Sequence, residues 1–482
     1  MGFKSALIKT ILYAKRNGIK AAYYAARERL ELQNASEYQF VPVSDKELDD
    51  QRKSYQIWKE NDVTPLISIV VPCYNTPEKF LRAMIESVQA QTYENFELIL
   101  ADASSEETVA GIVAEYVQND ERIKYNHLQF NGGISENTNA ALELVTGDYT
   151  GLLDHDDVLT PDALYEVALV IRKTMAERRL KDFKECPVRL IYSDEDKCDG
   201  DQSYYYEPNQ KLAFNYDYLL SNNYICHFTV IRSDIIKELK FRKEYDGAQD
   251  FDLILRASDG YGEVVHIPKV LYHWRCHDDS TAANPASKKY AYDAGRRAVS
   301  AFLLSKNIPA VVTDLPHVGF YRTDYDTDIF EARHDIGVVG GKLTDPEGTI
   351  IGGNYTKDGE ILYNGLQKGY SGGFLHRAVL QQDAEAVDLR CMKIRPELMA
   401  MYKQMLGIDY KDTTNPKAVY NEQGIDTRIT DKGKKLVRKG NSSVDDELVN
   451  ASIIEDSIAF CKAVREEGYL ILWDPQIEKK LK

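Results

Sequence analysis

The 482-residue chain lacks the cysteine patterns that staple small folds or bind zinc. Its seven cysteines are scattered, odd in number and without a C-x-x-C pair. This usage is typical of reduced thiols in a cytosol. The sequence also lacks an apolar run long enough to span a bilayer, and polar residues interrupt the early apolar ones, so we expect no signal peptide. A cytoplasmic protein is therefore predicted.

An excess of positive charge is lacking too, as are the glycine loops that hold phosphates. The formal net charge is −16, which repels nucleic acid, so we expect no nucleic-acid partner. No G-x-G-x-x-G follows the first predicted strand and no G-x-x-x-x-G-K occurs, which disfavours dinucleotide-binding and P-loop proteins. The length predicts roughly two to four domains, and the 43% of hydrophobic residues predicts a packed core.

Residues 1–20 depart from the acidic balance, with five positive charges and no acid. An amphipathic helix is predicted there, because its apolar residues share one helical face: Phe3, Leu7, Ile8, Ile11 and Leu12. A basic helix of this kind predicts peripheral contact with anionic lipids on the inner face of the cell membrane. The alternative is that the face packs on the protein itself, which the shortness of the helix slightly favours.

Strands and helices alternate regularly after a connector. Strands are predicted at 66–72, 96–102, 123–127 and 149–153, with helices at 77–91, 108–118 and 135–145 between them. This alternation predicts an α/β fold with a mainly parallel, doubly wound sheet. Ligands of such sheets bind beyond the carboxyl ends of the strands. The residues expected at those ends are Pro72, Tyr74, Asn75, Asp102 and the acids at 154–157.

The acids at 154–157 lie in YTGLLDHDDVLTPD, residues 149–162. Thr160 and Pro161 are good first residues for a helix, so the acids should separate a strand from a helix. On an extended segment Asp154 and Asp156 point the same way and can face one ion. Their oxygens suit Mg²⁺ or Mn²⁺, which in turn holds a diphosphate. The alternative is a solvated acidic loop, but the convergence of the strand ends favours a site.

Residues 327–482 contain a weak internal copy of an earlier stretch. Residues 455–475 parallel 249–268, with Asp456 matching Asp250 and Ile458 in place of Asp252. Nothing in this part resembles the strand ends described above, so we predict a smaller, inactive α/β module for acceptor docking, packing or self-association into homo-oligomers. The predicted domains are a helix and connector at 1–60, a main domain at 61–326 and this module at 327–482.

Six motifs together resemble the family 2 glycosyltransferases with the Rossmann-like GT-A fold. They occur in the family's order within 65–307: VVPCYN at 70–75, SVQAQTYENFELILADASS at 87–105, NGGISENTNAALELVTGDYTGLLDHDDVL at 131–159, YSDEDK at 192–197, GAQDFDLILR at 247–256 and YHWRCHDDST at 272–281. The resemblance implies inverting, metal-dependent transfer of a sugar from a nucleotide diphosphate sugar to an acceptor hydroxyl, with Mn²⁺ or Mg²⁺ as cofactor. It also implies that the module at 327–482 is a degenerate, partial second GT-A unit.

The resemblance also assigns roles to single residues. Pro72, Tyr74 and Asn75 would border the nucleotide, and Asp102 would read the imide edge of its base, unless it simply ends a strand. Asp154 would face ribose or sugar. Asp194 would line the donor pocket. Asp156 and His277 would bind the metal, and His277 would also lie near the diphosphate. Asp250 would be the general base. Gln249 stands where the family has Glu before this base.

Several neighbouring residues have alternative interpretations. Asp252 is expected to cap or salt-bridge its helix. The acids Asp194–Asp196 line the pocket or form a solvated turn. His273 is a weaker ligand candidate, since a histidine beside Trp274 is more often part of a core. The tyrosines at 204–206 stack on sugar or simply pack, and packing is the commoner role of aromatic runs.

The donor implied by the resemblance is a UDP-sugar, with a dTDP-sugar as the second choice because both bases present the same imide edge. The expected acceptor is a glycan, in particular a lipid-linked glycan of an envelope or capsular polysaccharide. A missing Q-x-x-R-W motif predicts non-processive transfer. A sugar nucleotidyltransferase would need a glycine-rich loop where CYNTPEKF stands. A non-catalytic glycan-binding or scaffold protein is the other alternative, against which the set of Asp154, Asp156 and Asp250 speaks.

Overall fold

The computed structural model describes residues 10–11, 13–33, 38–61, 64–260, 262–276, 289–373, 375–415 and 443–481. The chain forms two compact units. The major unit comprises Glu37–Phe214 and Asn223–Phe302, and the minor unit comprises Met1–Ser36, Asn215–Asn222 and Leu303–Lys482. None of the helices in the described ranges is both long and apolar enough to cross a bilayer.

The strands follow one another in chain order. They are β1 Ile67–Cys73, β2 Phe96–Asp102, β3 Ile123–His127, β4 Tyr149–Leu152, β5 Val158–Leu159, β6 Val188–Asp199, β7 Tyr205–Asn209, β8 Thr229–Arg232, β9 Glu263–Cys276, β10 Ala310–Asp314, β11 Tyr321–Tyr325, β12 Ile336–Thr344, β13 Ile350–Gly352, β14 Asn354–Tyr355, β15 Gln382–Asp383, β16 Ala386–Val387, β17 Met392–Ile394 and β18 Leu470–Lys480.

The helices are numbered in the same way. They are α1 Ile19–Gln33, α2 Asp45–Glu60, α3 Glu78–Gln89, α4 Thr108–Val117, α5 Ile134–Leu142, α6 Ala163–Arg178, α7 Tyr216–Ser221, α8 Ser233–Leu239, α9 Gln249–Ser258, α10 Lys289–Ser305, α11 Ile329–Ala332, α12 Met399–Leu406 and α13 Ser443–Glu466.

The major unit is built on a large sheet with the strand order β3-β2-β1-β4-β8-β6-β9-β5, and β7 pairs with β6. Strands β3, β2, β1 and β4 are parallel, β8 runs the opposite way, and β6 and β9 are again parallel to each other. Every residue of β1 and β2 is buried, as expected for parallel strands covered on both faces. The predicted mainly parallel α/β fold is confirmed.

The predicted elements of this sheet agree closely with the observed ones. Strands β2 and β3 have the predicted bounds. The helix predicted to open at Thr160 instead begins at Ala163. The preceding residues Val158 and Leu159 form a short strand with β9, and the amide of Thr160 donates to the carbonyl of Leu271. This pairing delays the helix by holding the backbone extended.

The strand register brings three chain segments to one edge of the sheet. Cys73 and Asp102 are neighbours at the ends of β1 and β2, and Leu152 of β4 pairs with Val70 of β1. Asp154 follows two residues after Leu152 and therefore lies just beyond the same edge. The predicted meeting of the strand ends is present.

The minor unit contains a smaller sheet with the order β13-β12-β18-β15, and β17 pairs with β12. Strand β18 follows α13 and is parallel to β12, just as β9 follows α9 and is parallel to β6. The predicted smaller α/β module with a repeated helix–strand pair is therefore confirmed. The boundaries 1–60, 61–326 and 327–482 stay predictions about domains.

The carboxylate of Glu28 holds helix α1 within the minor unit. Glu28 accepts hydrogen bonds from the amides of Ser371, Gly372 and Gly373 at 2.8–3.1 Å. Such a run of amides is a ready anion site. Before α1, the Asn17 side chain donates to the carbonyl of Pro316 at 2.8 Å. The predicted apolar face of the first helix lies outside the described residues except for Ile11, which is 46% exposed.

Candidate active site

The ends of β1 and β2 are joined through Ser104. Its hydroxyl accepts from the amide of Asn75 at 2.8 Å and donates to Oδ1 of Asp102 at 2.5 Å. Oδ2 of Asp102 accepts from the hydroxyl of Tyr125 at 2.7 Å, and the Asp102 side chain is fully buried. Burial and this carboxylate raise the pKa of Tyr125. Asp102 thus links the ends of β1, β2 and β3 through hydrogen bonds. Its contact with a nucleotide base stays a prediction.

The other residues predicted to border a nucleotide lie beside Asp102 and Ser104. Pro72 is buried within β1, whereas Tyr74 and Asn75 are exposed, Tyr74 by 48%. Asn75 has a φ of 48°, in the left-handed region, so the chain turns sharply as it leaves the strand. The tyrosine ring is therefore presented at the sheet edge, where a planar base can contact it.

The acids after β4 lie on a turn and not on an extended segment. The amide of Asp157 donates to the carbonyl of Asp154 at 3.3 Å, so the expected alternation of side chains does not apply. The groups that converge are Asp154, Asp157 and His227, whose ligand atoms lie within 4.8 Å of one another. Asp156 is not one of these three, and its role as a metal ligand stays a prediction. This trio was not predicted, because a turn cannot be derived from spacing alone.

Asp157 is the buried member of the trio. Its Oδ1 accepts from the amide of Arg275 at 2.7 Å, and its Oδ2 accepts from the hydroxyl of Tyr272. Burial raises the pKa of Asp157 well above its usual range, and the charges of Asp156 and Asp154 raise it further. Asp154 is 54% exposed, and the surrounding protein raises its pKa as well, although His227 opposes the rise. These closely spaced carboxylates repel one another when they are ionised, and a bound cation would relieve that repulsion.

The ring of His227 is held between two carboxylates. Its Nδ1 lies 3.1 Å from Glu195 and its Nε2 lies 3.9 Å from Asp154. The ring stacks on Tyr272, with centroids 4.7 Å apart and an interplanar angle of 10°. Burial alone would lower the pKa of His227, but Cys226 and Glu195 raise it well above its usual range. A second carboxylate on the far nitrogen is the usual way to orient a histidine that faces a metal.

The negative charge of Glu195 is balanced by a buried lysine. The fully buried Lys211 places Nζ 3.3 Å from its carboxylate, and Asn209 donates to it at 3.1 Å. Burial opposes the ionisation of Glu195, but Lys211 and His227 outweigh it and lower its pKa to about 2. Neither His227 nor Lys211 was singled out from the sequence. Their only sequence signal is an isolated polar residue beside an apolar segment, which is too common to be diagnostic.

Asp250 belongs to the same group of side chains, although it comes from the first turn of α9. Its Oδ2 accepts from Nδ2 of Asn223 at 2.8 Å and lies 3.8 Å from Sγ of Cys226. That sulfur lies 3.5 Å from Nε2 of His227. A continuous line of contacts therefore runs from Asp250 through Cys226 and His227 to Asp154. Asp250 and Asp154 thus lie in one connected group of side chains, and their roles as base and donor ligand stay predictions.

Asp252, in the same first turn of α9, has a structural role. It is buried and forms ion pairs with Arg242 and Arg256, the latter at 2.6 Å. These two arginines satisfy its carboxylate completely. The prediction that Asp252 salt-bridges its helix is confirmed.

The acids of β6 point to partners within the protein. Asp194 contacts His266 at 2.7 Å and accepts from the amide of Lys211 at 2.8 Å. Asp196 pairs with Nδ1 of His273, whose ring packs against Phe40 with centroids 4.5 Å apart. These acids are buried, so they do not form a solvated turn. The core interpretation of His273 is confirmed, Asp194 stays a predicted donor residue, and His277 lies outside the described residues.

The trio fits a divalent cation. Two carboxylates and an imidazole make a mixed oxygen and nitrogen donor set of the kind that Mn²⁺ accepts. The exposure of Asp154 leaves that side of the trio open to the oxygens of a ligand. The buried Glu195 and Lys211 hold the imidazole from behind. The site therefore combines a cation position with a separate carboxylate, Asp250.

The sequence matches a known family. Residues 68–240 match the family model described as Glycosyl transferase family 2. The chain is 31% identical over 206 residues to WcaA of Escherichia coli K12, whose name proposes a glycosyl transferase of colanic acid biosynthesis. That match covers 41% of this chain and 68% of WcaA. The chain belongs to glycosyltransferase family 2, as the motifs predicted.

Other relatives are larger proteins. The O-antigen biosynthesis protein RfbC of Myxococcus xanthus is 35% identical over 263 residues, which are 54% of this chain and 20% of RfbC. A chondroitin synthase of Escherichia coli is 27% identical over 45% of this chain and 30% of its own length. The chain thus spans less than a third of these two proteins. The solved structure of residues 1–349 of Staphylococcus aureus TarS in complex with UDP has 19% identity and a TM-score of 0.38, over 49% of this chain and 65% of that fragment.

Proposed function

We propose that the protein is an inverting, metal-dependent, non-processive glycosyltransferase. It moves a sugar from a nucleotide diphosphate sugar to a hydroxyl of a glycan acceptor. The observation that carries this proposal is the contact line from Asp250 to Asp154, because it brings the carboxylate of the proposed base into the same group of side chains as a candidate cation position. Inversion needs these two functions on opposite sides of the reacting carbon.

In the reaction, Asp250 accepts the proton of the acceptor hydroxyl. The hydroxyl oxygen then bonds to the anomeric carbon while the bond from that carbon to the diphosphate oxygen breaks. The nucleoside diphosphate leaves with the electron pair of the broken bond. Asn223 keeps the Asp250 carboxylate oriented during this step, since it donates a hydrogen bond of 2.8 Å to Oδ2.

The reaction also requires that the negative charge developing on the leaving diphosphate be stabilised. Asp154, Asp157 and His227 would hold the divalent cation, and the bound cation supplies positive charge to the diphosphate. Glu195 fixes the ring of His227 so that Nε2 faces Asp154. Asp156 and His277 remain proposed as further ligands of the metal or diphosphate.

The donor and acceptor are proposed from the residues at the end of β1 and from the names of the relatives. Tyr74 is exposed at the end of β1, where a base can stack on it, and Pro72 and Asn75 flank it. With Asp102 reading an imide edge, a UDP-sugar is the first choice and a dTDP-sugar the second. The names of RfbC and of chondroitin synthase support a polysaccharide acceptor. We propose a lipid-linked glycan of an envelope or capsular polysaccharide.

The direct test is a mass-spectrometric screen of nucleotide sugars with the purified full chain and Mn²⁺. One donor should be hydrolysed slowly without acceptor and transferred to a glycan with it. Asp250→Asn should lower transfer by about 10²- to 10⁴-fold while the affinity for the donor stays within a factor of two or so. Glu121→Gln, which changes an exposed acid of the major unit, is the matched control.

Two results would overturn the proposal. If no nucleotide sugar is consumed under any metal condition, the protein is a binding or scaffold protein. If Asp250→Asn loses affinity for the donor but keeps a normal kcat at saturating donor, Asp250 is a donor ligand and another group is the base.

A peripheral membrane position is proposed for residues 1–20. The positive charge of these residues supports the proposal. Within the described residues, the segment also contacts its own unit through the hydrogen bond from Asn17 to Pro316. Lys4→Glu combined with Lys9→Glu should release the full chain from vesicles containing anionic lipids but leave it folded. Vesicle binding that is unchanged by both substitutions would show that the segment serves only as packing.

A further inference from the structure

A row of aromatic side chains leads away from His227 on the same face of the sheet. Tyr272 and Trp274 are two residues apart on β9, so their side chains point to one face. Trp274 lies 5.6 Å from the ring of His227, and Nζ of Lys197 lies 5.4 Å from the centre of the Trp274 ring. The row therefore starts at the proposed cation position.

The strand register extends this row across β6 to β7. Lys197 of β6 is paired with Trp274 on one side and with Tyr206 on the other, so all three side chains share a face. Tyr206 stacks on Tyr204, with centroids 5.5 Å apart and an interplanar angle of 14°. Tyr204 is 62% exposed, so the row ends in solvent.

Tyr205, which lies between Tyr204 and Tyr206 in the sequence, does not belong to the row. Tyr205 points to the other face, where its ring lies 4.6 Å from the buried His273. It therefore belongs to the packing of the major unit. The alternation explains why Tyr204 and Tyr206 remain available for a ligand although all three residues form one sequence run.

The exposed end of the row is held in place by its turn. Asp199 accepts from the amide of Ser203 at 2.7 Å, from its hydroxyl at 2.6 Å and from the amide of Tyr204 at 3.3 Å. Lys79 and Asp201 form an ion pair beside this turn. An exposed aromatic ring on a turn fixed in this way is arranged before any ligand arrives, which lowers the entropy lost on binding.

We propose that Tyr204, Tyr206 and Trp274 form an aromatic platform that binds the sugar rings of the acceptor glycan. The C–H faces of a pyranose ring are apolar and carry partial positive charge, so they match the negative faces of aromatic rings. Lys197 and Glu207, which form an ion pair beside the platform, can exchange hydrogen bonds with the ring hydroxyls. An exposed aromatic patch continuous with a reaction site marks a ligand surface.

The occupant is assigned by this continuity. The platform joins the site through Trp274 and His227, next to Asp154. The nucleotide part of the donor is proposed to lie elsewhere, at the ends of β1 and β2 beside Tyr74. The acceptor is therefore the ligand that remains for the platform. This inference rests on the proposed transfer function for its choice of ligand.

The test uses the full chain on a printed array of bacterial glycans and common pyranose oligomers. The wild type should bind a subset of these glycans, and Tyr204→Ala should weaken that binding about 3- to 10-fold. Tyr204→Phe should retain it, because the stacking face is kept. Tyr23→Ala, which removes an exposed tyrosine of the minor unit, is the control. In the transfer assay Tyr204→Ala should raise the KM for acceptor more than it lowers kcat.

The outcomes separate this inference from the proposed function. If the donor is turned over but Tyr204→Ala and Tyr206→Ala bind glycans as well as the wild type, the platform is overturned and the enzyme stands. An array on which the wild type binds no glycan overturns the platform too. If glycans bind through Tyr204 but no donor is consumed, the transfer function fails while the glycan surface stands. If the wild type is dimeric in solution and Tyr204→Ala is monomeric but binds glycans normally, the tyrosines serve self-association and the platform is overturned.

Discussion

Nδ2 of Asn223 donates a hydrogen bond of 2.8 Å to Oδ2 of Asp250, and Oδ1 of Asn223 accepts from the amide of Cys226 at 3.3 Å. One amide side chain thereby ties the first turn of α9 to the segment that precedes β8. The segment carries His227, so the position of the proposed base and the position of the cation trio are fixed by the same short stretch.

Asn223→Ala should therefore reduce the rate of transfer. A hydrogen bond to a charged group contributes about 1.5–3 kcal/mol, so we expect kcat to fall about 10- to 100-fold with little change in the KM for donor. Steady-state kinetics against both substrates measure the split. Asn119→Ala, at an exposed site of the major unit, is the control. An unchanged kcat would show that Asp250 is positioned by other groups.

Glu195→Gln should weaken the response to metal. The amide keeps the shape of the side chain but removes the charge that orients His227, and such partners typically contribute about 10- to 100-fold to metal affinity. The Mn²⁺ concentration for half-maximal hydrolysis of the donor should rise by that factor. Circular dichroism should confirm that the variant is folded, since Lys211 is buried beside it. A normal Mn²⁺ dependence would contradict the role of Glu195.

The acids of the turn can be distinguished by substitution. Asp156→Ala is expected to weaken Mn²⁺-dependent binding of the donor by at least about tenfold, as a metal ligand should. Asp157→Asn should do the same, because Asp157 belongs to the trio around His227. Isothermal titration with and without Mn²⁺ measures both. If only Asp157→Asn has an effect, the trio alone holds the cation and Asp156 has another role.

The minor unit should lose stability in acid. His317 and His376 stack with centroids 3.5 Å apart. Burial lowers the pKa of His317 to about 4, and burial together with His317 lowers that of His376 to about 3. In the unfolded chain both titrate near 6.5. The unfolded chain therefore binds more protons between pH 6.5 and about 3, and the free energy of unfolding falls as the pH drops through this window.

Urea unfolding at pH 7.0, 5.5 and 4.5 measures this loss. His317→Phe retains the ring but not the titration, so its free energy of unfolding should vary less steeply, by about 1.4 kcal/mol per pH unit. The stacking neighbours Tyr13 and His376 remain in the variant. Equal slopes for the variant and the wild type would assign the acid loss to other groups.

The fold of the major unit could be predicted because its signals are local. Strands such as β2 and β3 are short apolar or alternating runs bounded by turn residues, and their limits were recovered from those features alone. The role of Asp252 was also predictable, because an acid in the first turn of a helix with an arginine four residues later has an obvious partner.

The cation trio could not be predicted because it depends on non-local geometry. Asp154 and Asp156 would share a face only on an extended segment, but the amide of Asp157 closes a turn on the carbonyl of Asp154. His227 joins the trio because β8 is inserted between β4 and β6, which the order of elements along the chain does not reveal. Pairing across a sheet decides such contacts, and a single sequence does not specify it.

Strands β9, β6 and β7 give the row from Trp274 to Tyr206 a fixed length. Neighbouring strands are about 4.8 Å apart, so two steps across the sheet span about 10 Å, the size of a short oligosaccharide. A backbone ladder and not a mobile loop sets this distance. The efficiency of transfer should therefore depend on the length of the acceptor glycan. Acceptors too short to reach Tyr204 would be extended less efficiently than longer ones.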